Sequence, residues 1–215
     1  MRQFAVIGLG HFGASVAISL FERGHDVLAI DTNEERVQDI TNKVTHSVQA
    51  DSTNEEALKA LGIVNFDVAV VSIGQNMQAN ILTALILKEI GVKEVVAKAR
   101  TELHGKVLTR IGVDRVVFPE RDMGVRVAHN LVAANILDYI ELSPDYSIIE
   151  IIAPEVYIDK KLEELDLRAK HSINIIAIKS EDKINLTPKA ENVIRKNDVL
   201  VVVGKNDKLR KFESI

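Results

Sequence analysis

The segment Gly8-Leu9-Gly10-His11-Phe12-Gly13, residues 8–13, is the most informative motif of this chain. It carries the spacing G-x-G-x-x-G between a short apolar run, residues 4–7, and a segment of helical period. A second apolar run ends before Asp31, which lies 21 residues beyond Gly10. A strand, a glycine turn, a helix and a later acidic residue form the dinucleotide-binding fingerprint of a Rossmann-type fold. The segment therefore predicts a Rossmann-type nucleotide-binding domain.

The three glycines and Asp31 each have a separate task in such a site. Gly8 allows a tight turn, Gly10 lets the backbone approach a pyrophosphate, and Gly13 lets the helix pack closely on the strand. The helix N-terminus presents free N–H groups and the positive end of its dipole to the phosphate. Asp31 would accept hydrogen bonds from both ribose hydroxyls and repel a 2′-phosphate, which disfavours NADP. In the alternative interpretation, the glycines only serve a tight turn in a fold that has lost its ligand.

Strand-like and helix-like segments alternate through the first 118 residues, which indicates βαβ units, a doubly wound parallel sheet and an α/β fold. The predicted strands are residues 4–7, 27–30, 47–50, 68–73, 95–99 and 116–118. The predicted helices are residues 12–23, 34–42, 54–61, 77–90 and 102–111.

Pro119 breaks this alternation, and residues 121–140 have the period of one long crossover helix that ends near Ser143-Pro144. Its apolar face comprises Met123, Val125, Val127, Leu131, Val132, Ala134, Ile136 and Leu137. Residues 146–215 predict a small α+β domain with strands at 147–153, 174–179, 184–186 and 199–203 and short helices at 162–167 and 207–212. The predicted organisation is a nucleotide-binding domain at 1–120, a helix and linker at 121–143 and a C-terminal domain at 144–215.

The composition excludes several classes of function. The net charge of −4 and the pI of about 5.9 argue against a nucleic-acid surface. The chain has no cysteine, so disulfides, thiol nucleophiles and cysteine–metal sites are excluded. The apolar runs are far shorter than the ~20 residues of a membrane span, and the N-terminus enters a strand without the features of a signal peptide. We therefore expect a cytoplasmic protein.

Further candidate residues follow the predicted strands. Asp51 either faces the adenine side of the site or caps the next helix, because residues 52–55 are rich in capping residues. Ile73 and Gly74 end the fourth strand at the switch point of the sheet, where ligands bind. Lys98 either reaches a phosphate or is a solvated edge lysine. The predicted cofactor-binding residues are Gly8, Gly10, His11, Phe12, Gly13, Asp31, Asn33, Asp51, Ser52, Ile73, Gly74 and Lys98.

Two further residues carry charge or a titratable ring near the predicted site. His11 lies within the phosphate loop, whereas no two of the six histidines have the spacing of metal ligands. Glu120 follows Pro119 at the start of the long helix, where an acidic residue is also favoured by the helix dipole alone.

The sequence resembles the KtrA/TrkA family, the regulatory subunits of bacterial potassium uptake systems that are built on the RCK (regulating conductance of potassium) fold. The resemblance covers almost the whole chain, and a single copy in 215 residues is typical of the Ktr type. It rests on residues 4–10, Ile30-Asp31, Thr45-His46, Ala50-Asp51, Leu61-Gly62, 71–74, 106–108 and 111–120, and on Leu167-Arg168 and 198–200 in an RCK-C domain.

The resemblance implies a ligand-gated assembly. Such proteins form an octameric ring on the cytosolic face of a membrane potassium-translocating subunit and bind ATP or ADP, and in some members NAD(H). The long helix would cross between the subunits of a dimer. Glu120 would help bind a divalent cation or Na⁺ near the phosphates. Cyclic di-AMP would bind the C-terminal domain through Arg168, Ile173, Asn174 and Pro188.

One residue departs from this family pattern. Relatives of the Ktr type often carry an arginine that reaches the terminal phosphate of ATP where this chain has His11. A neutral histidine is a weaker phosphate partner and titrates near pH 6.5. The preference for ATP over ADP therefore stays open.

We expect a regulatory subunit without catalytic activity. The alternative is an NAD-dependent oxidoreductase with a small substrate domain, which would need a general acid or base near the nicotinamide. The last 70 residues contain one histidine and no cysteine, and their carboxylates are scattered at surface-like positions. A third alternative is a nucleotide sensor that acts on another target.

Overall fold

The structure is a computed structural model that describes residues 1–132, 136–181 and 183–213. The chain divides into two compact units, Met1–Arg121 and Asp122–Ile215. The first unit contains a parallel sheet with flanking helices, and the second contains an antiparallel sheet. This architecture confirms the predicted fold class.

The first unit contains a six-stranded parallel sheet in the order β3-β2-β1-β4-β5-β6, which is the Rossmann order. The strands are β1 (Gln3–Ile7), β2 (Asp26–Asp31), β3 (His46–Gln49), β4 (Val68–Val71), β5 (Glu94–Lys98) and β6 (Arg115–Val117). The helices are α1 (His11–Glu22), α2 (Glu34–Ile40), α3 (Glu55–Ala60), α4 (Met77–Glu89) and α5 (Glu102–Arg110).

Both faces of this sheet are buried, because successive side chains of a strand point to opposite faces and helices cover both. One hydrophobic cluster takes Ala5, Ile7, Leu28, Ile30, Ala69 and Val71 from the three central strands. The other takes the intervening residues Phe4, Val6, Val27, Ala29, Val68 and Val70. The near-continuous apolar runs of the sequence therefore follow from burial on two sides.

The second unit contains a five-stranded antiparallel sheet in the order β10-β9-β11-β8-β7. Its strands are β7 (Ile136–Ser143), β8 (Tyr146–Ile152), β9 (Ile173–Ser180), β10 (Lys183–Asn185) and β11 (Val199–Lys205). Helix α6 (Pro119–Val132) leads into the unit, and α7 (Leu162–Leu165), α8 (Leu167–His171) and α9 (Asn206–Glu213) follow. Its core is built around Ile149, Ile151, Ile173, Ile194, Leu200 and Phe212.

The predicted helix at 121–140 is wrong in its second half. Helix α6 ends at Val132, and residues 136–143 form β7, which pairs antiparallel with β8. The guanidinium of Arg126 donates two hydrogen bonds, of 2.9 and 2.7 Å, to the carboxylate of Asp138. Apolar residues in 136–143 fit either period, and pairing with β8 satisfies their backbone groups, so tertiary structure decides. The predicted Ala134 lies outside the described residues.

A buried hydroxyl provides a test of this hairpin. The fully buried Ser147 on β8 lies 2.6 Å from the hydroxyl of Tyr139 on β7 and 2.8 Å from the side-chain oxygen of Asn206 on α9. Ser147→Ala is expected to lower the free energy of unfolding by about 0.5–1.5 kcal/mol, because it removes the buried hydroxyl that contacts the partly buried side chains of Tyr139 and Asn206. Urea denaturation measures this loss.

Tyr139→Phe should couple to Ser147→Ala by about 0.5 kcal/mol or more, because the two side chains share one hydrogen bond. Tyr146→Phe is the control, since Tyr146 neighbours Ser147 in the chain but is half-exposed. Strictly additive effects of Ser147→Ala and Tyr139→Phe would contradict the pairing of β7 with β8 at this position.

Candidate functional site

A cleft of about 580 Å³ lies in the first unit, at the carboxyl ends of the central parallel strands. The carboxyl ends of such strands are where ligands bind in open α/β sheets. Of the predicted residues, those that line the cleft are Gly8, Gly10, His11, Phe12, Asp31, Asp51, Ser52, Ile73, Gly74, Lys98 and Glu120. Gly13 and Asn33 are not among the lining residues.

The glycine loop is sterically required at two of its three positions. Gly8 has φ +92°, and a Cβ there would lie 2.9 Å from the backbone nitrogen of Ile73. A Cβ on Gly13 would overlap the carbonyl oxygen of Gly8 and the hydroxyl of Ser72, which donates a hydrogen bond to that carbonyl. A Cβ on Gly10 would meet nothing within 4 Å. The fold therefore needs Gly8 and Gly13, whereas Gly10 leaves open space at the cleft.

Helix α1 differs from its neighbours at its N-terminus. A side-chain oxygen caps each of the other four helices of the first unit, from Asn33 (α2), Asn54 (α3), Asn76 (α4) and Thr101 (α5). Gly10 precedes α1 and provides no such cap. Capping satisfies backbone N–H groups that otherwise lack a partner within the helix. The N–H groups and positive dipole end of α1 are thus available to an anion in the cleft.

Asp31 holds the glycine loop as well as lining the cleft. Its buried carboxylate accepts hydrogen bonds from the backbone nitrogens of Leu9, at 2.6 Å, and Asn33, at 2.8 Å. The guanidinium of Arg36 on α2 lies 3.6 Å from it. Each carboxylate oxygen can accept more than one hydrogen bond, so Asp31 retains capacity for a ligand. The side chain of Asn33 instead accepts from the backbone nitrogen of Arg36, as the cap of α2.

Lys98 and Glu120 form an ion pair at the other end of the cleft. The side chain of Lys98 is only 10% exposed, whereas that of Glu120 is 68% exposed. The ammonium also lies 5.6 Å from the ring centre of Phe12. The hydrogen bond from Lys98 holds the pKa of Glu120 below its usual range, despite partial burial. Lys98 is therefore not a solvated edge lysine, and Glu120 stays ionised.

The described residues contain no group of three or more His, Asp or Glu side chains arranged to hold a metal ion. Glu120 remains a predicted cation ligand on the family resemblance.

Asp51 and Ser52 lie at the end of the cleft that follows β3. Asp51 accepts hydrogen bonds from the hydroxyl of Thr53, at 2.7 Å, and from its backbone nitrogen, at 2.9 Å. These bonds lower the pKa of Asp51. The hydroxyls of Ser52 and Thr83 are 2.9 Å apart in the interior. Asn54, and not Asp51, is the cap of α3, and Asp51 lines the cleft.

Several polar residues of the cleft were not predicted from the sequence: Thr32, Arg36, Thr53, Ser72, Gln75 and Asn76. Each follows β2, β3 or β4 by at most five positions. Proximity to a strand end would therefore have identified them.

The four residues predicted for a second ligand lie in the second unit. Arg168 on α8 and Asn174 on β9 are exposed, and Pro188 is partly buried. Ile173 is completely buried in the core of the unit. Ile173 is therefore enclosed by that core in the single chain, and the assignment of this group stays a prediction.

Comparison with known proteins identifies the family. The TrkA-N domain family matches residues 4–119, and the TrkA-C domain family matches residues 146–215. The chain belongs to the KtrA/TrkA family. It is 47% identical over 212 residues to Ktr system potassium uptake protein C of Bacillus subtilis, covering 99% of this chain and 96% of that protein. It is 45% identical over 213 residues to potassium uptake protein A of the same organism, again covering 99% and 96%.

Solved structures confirm the fold. The GsuK channel matches with a TM-score of 0.71 at 18% identity, over 99% of this chain and 39% of the channel chain. The GsuK channel bound to NAD matches with a TM-score of 0.66, also at 18% identity, over 97% and 38%. In the part of this chain that the structure describes, no helix combines the length and apolar character needed to cross a membrane.

The glycine loop predicts opposite results for two alanine substitutions. Gly13→Ala is expected to lower the free energy of unfolding by about 1–3 kcal/mol or more, because the methyl group overlaps the Gly8 carbonyl oxygen. Gly10→Ala should leave thermal stability almost unchanged, because its methyl group meets no protein atom within 4 Å. Differential scanning calorimetry tests both variants, and equal losses would refute the described packing of α1 on β1.

Proposed function

We propose that this chain is the nucleotide-binding regulatory subunit of a bacterial potassium uptake system. It binds an adenine nucleotide and thereby opens or closes a separate membrane potassium-translocating subunit of the Ktr/Trk type. The observation that carries the binding part is the uncapped N-terminus of α1 at the floor of the cleft. Support for the potassium system is the identity to the two Bacillus potassium uptake proteins over nearly their full lengths.

We propose ATP or ADP as the ligand of the cleft, with NAD(H) as the second candidate. The volume of the cleft, about 580 Å³, is within the range of small-molecule and cofactor sites. Phosphates would lie at the N-terminus of α1, beside His11 and within reach of Lys98. The ribose would lie at Asp31, whose negative charge disfavours a 2′-phosphate.

The mechanism is a shift in population between two shapes of an assembly. A nucleotide changes that balance only through its different affinity for the two shapes. We infer from the family resemblance a homodimer that assembles into an octameric ring beneath the membrane partner, in which closed symmetry would give every subunit the same set of interfaces. Apolar side chains left exposed on α6 support the dimer: Met123, Val125, Val127 and Leu131.

Three finer proposals accompany this function. The chain is not an enzyme, consistent with relatives named as potassium uptake proteins. It is cytoplasmic and attached to the inner face of the membrane through its partner. Two further ligands, a cation at Glu120 and cyclic di-AMP in the second unit, rest on the family resemblance.

Asp31→Ala tests the binding site. The variant should bind ADP and ATP more than about tenfold more weakly, because it loses charge-assisted hydrogen bonds of about 1.5–3 kcal/mol each to the ribose. Isothermal titration calorimetry with ATP, ADP, NAD and NADH measures the affinities. Asn54→Ala is the control for stability, because it removes the cap of α3 and Asn54 is not among the residues that line the cleft. Unchanged affinity in Asp31→Ala would remove Asp31 from the site, and a wild-type chain that binds none of the four would refute the function.

Leu131→Asp tests the assembly. Leu131 is 79% exposed in the single chain, so aspartate at this position should not unfold a monomer. In a dimer formed through α6, the aspartate would be a buried, unpaired charge, so the substitution should dissociate the complex. Light scattering at micromolar concentration measures the particle mass. A wild-type particle with the mass of one chain, 23.8 kDa, would contradict the proposed assembly.

A further inference from the structure

A buried amide joins the ends of β4 and β5 behind the cleft. Asn80 on α4 is fully buried. Its side-chain nitrogen donates hydrogen bonds to the carbonyl oxygens of Ile73, at 2.8 Å, and Lys98, at 3.2 Å. Ile73 lies beyond the last paired residues of these strands, Val71 and Ala97. Ile73 and Lys98 both line the cleft, so the position of Asn80 sets one wall of the site.

The hydrogen bonds fix the protonation state of the residue behind Asn80. Since the nitrogen of the Asn80 amide faces two carbonyls, its oxygen must accept, and it lies 3.2 Å from Nε2 of His104. Nε2 therefore carries the hydrogen. Nδ1 of the same ring accepts from the backbone nitrogen of Arg100, at 3.4 Å. His104 is only 2% exposed, and its two contacts match the neutral ring alone.

The residue next to His104 supports the other half of the ion pair. A Cβ on Gly105 would lie 2.5 Å from the ring of Phe118, so the helix backbone packs directly on that ring. Phe118 precedes Glu120 by two residues. The first turns of α5 thus contact the segments that carry both members of the Lys98–Glu120 pair.

We propose that His104 is a positioning residue of the nucleotide site: in its neutral form it holds Asn80, and through Asn80 the end of β5 that carries Lys98. This inference rests on the proposed function, because it makes the nucleotide affinity of the proposed site depend on His104. Protonation would place a second N–H against the N–H of Arg100 and would weaken the wall of the cleft.

The groups around His104 determine the pH range over which its ring becomes protonated. From α4 the facing group is the neutral amide of Asn80, and from the loop before α5 it is Arg100. Burial, and then the positive charge of Arg100, lower the pKa of His104 below 6.5. The neutral form therefore predominates above pH 6.5 and is lost as the pH falls through this lowered pKa. Nucleotide affinity should fall over the same range.

The experiment measures ADP affinity by calorimetry between pH 7.5 and pH 5 for two proteins, one that retains His104 and one that carries His104→Gln. Both carry His11→Gln, which removes the imidazole that lines the cleft. Glutamine retains an N–H donor for Asn80 but does not titrate. The ratio of the two affinities cancels the titration of ADP itself. We expect affinities within about threefold at pH 7.5, and a relative loss in the His104 protein of up to about tenfold per pH unit below its pKa.

Thr45→Val is the stability control, because Thr45 accepts a hydrogen bond from the backbone nitrogen of Val27 at the opposite end of β2. It should leave the pH profile unchanged. A ratio of affinities that stays constant with pH would overturn the role of His104 while leaving the proposed function intact. Absence of binding of ATP, ADP, NAD and NADH alike to the wild-type chain at pH 7.5 would overturn both.

A measurement on the wild-type chain covers the case in which His104→Gln does not fold. If ADP binds better when His104 is neutral, linkage requires that ADP lowers the pKa of His104 further. Nuclear magnetic resonance of the imidazole nitrogens gives this pKa with and without ADP. Equal values in the two states would overturn the proposal.

Discussion

The close contact of Gly13 with Gly8 and Ser72 is the constraint on which the site depends. Only a residue without a Cβ lets the first turn of α1 lie against the end of β1. The hydroxyl of Ser72, just after β4, donates to the Gly8 carbonyl and ties this turn to the next strand. Asp31, at the end of β2, holds the same loop through the backbone nitrogen of Leu9. Three strand ends thus fix the start of one helix.

That fixed helix start gives the cleft its chemistry. Because no side chain caps α1, the electrostatic field of the helix end acts on whatever occupies the cleft. Charged groups stand at both ends: the Lys98–Glu120 pair on one side and Asp31 with Arg36 on the other. The glycines of the turn and the acidic residue of the fingerprint therefore hold together the cleft that we propose as the nucleotide site.

Most of the first unit could be predicted from the sequence, because its signals are local. Strands buried on both faces leave apolar runs, and every predicted strand of this unit agrees with the structure to within two residues at each end. The Gly8–Gly13 fingerprint predicted the position of the cleft. β7 was missed because residues 136–143 carry apolar positions that also fit a helix, and only pairing with β8 distinguishes the two. The pairs Lys98–Glu120 and Asn80–His104 join residues more than 20 positions apart, where no local pattern indicates contact.

We propose that the uncapped start of α1 binds the phosphates of an adenine nucleotide. A crystal structure of the chain with ADP tests this most directly. We expect phosphate oxygens within hydrogen-bonding distance of the backbone nitrogens of the first turn of α1, and ribose hydroxyls bound to the carboxylate of Asp31. ADP bound elsewhere, with the start of α1 open to solvent, would contradict it.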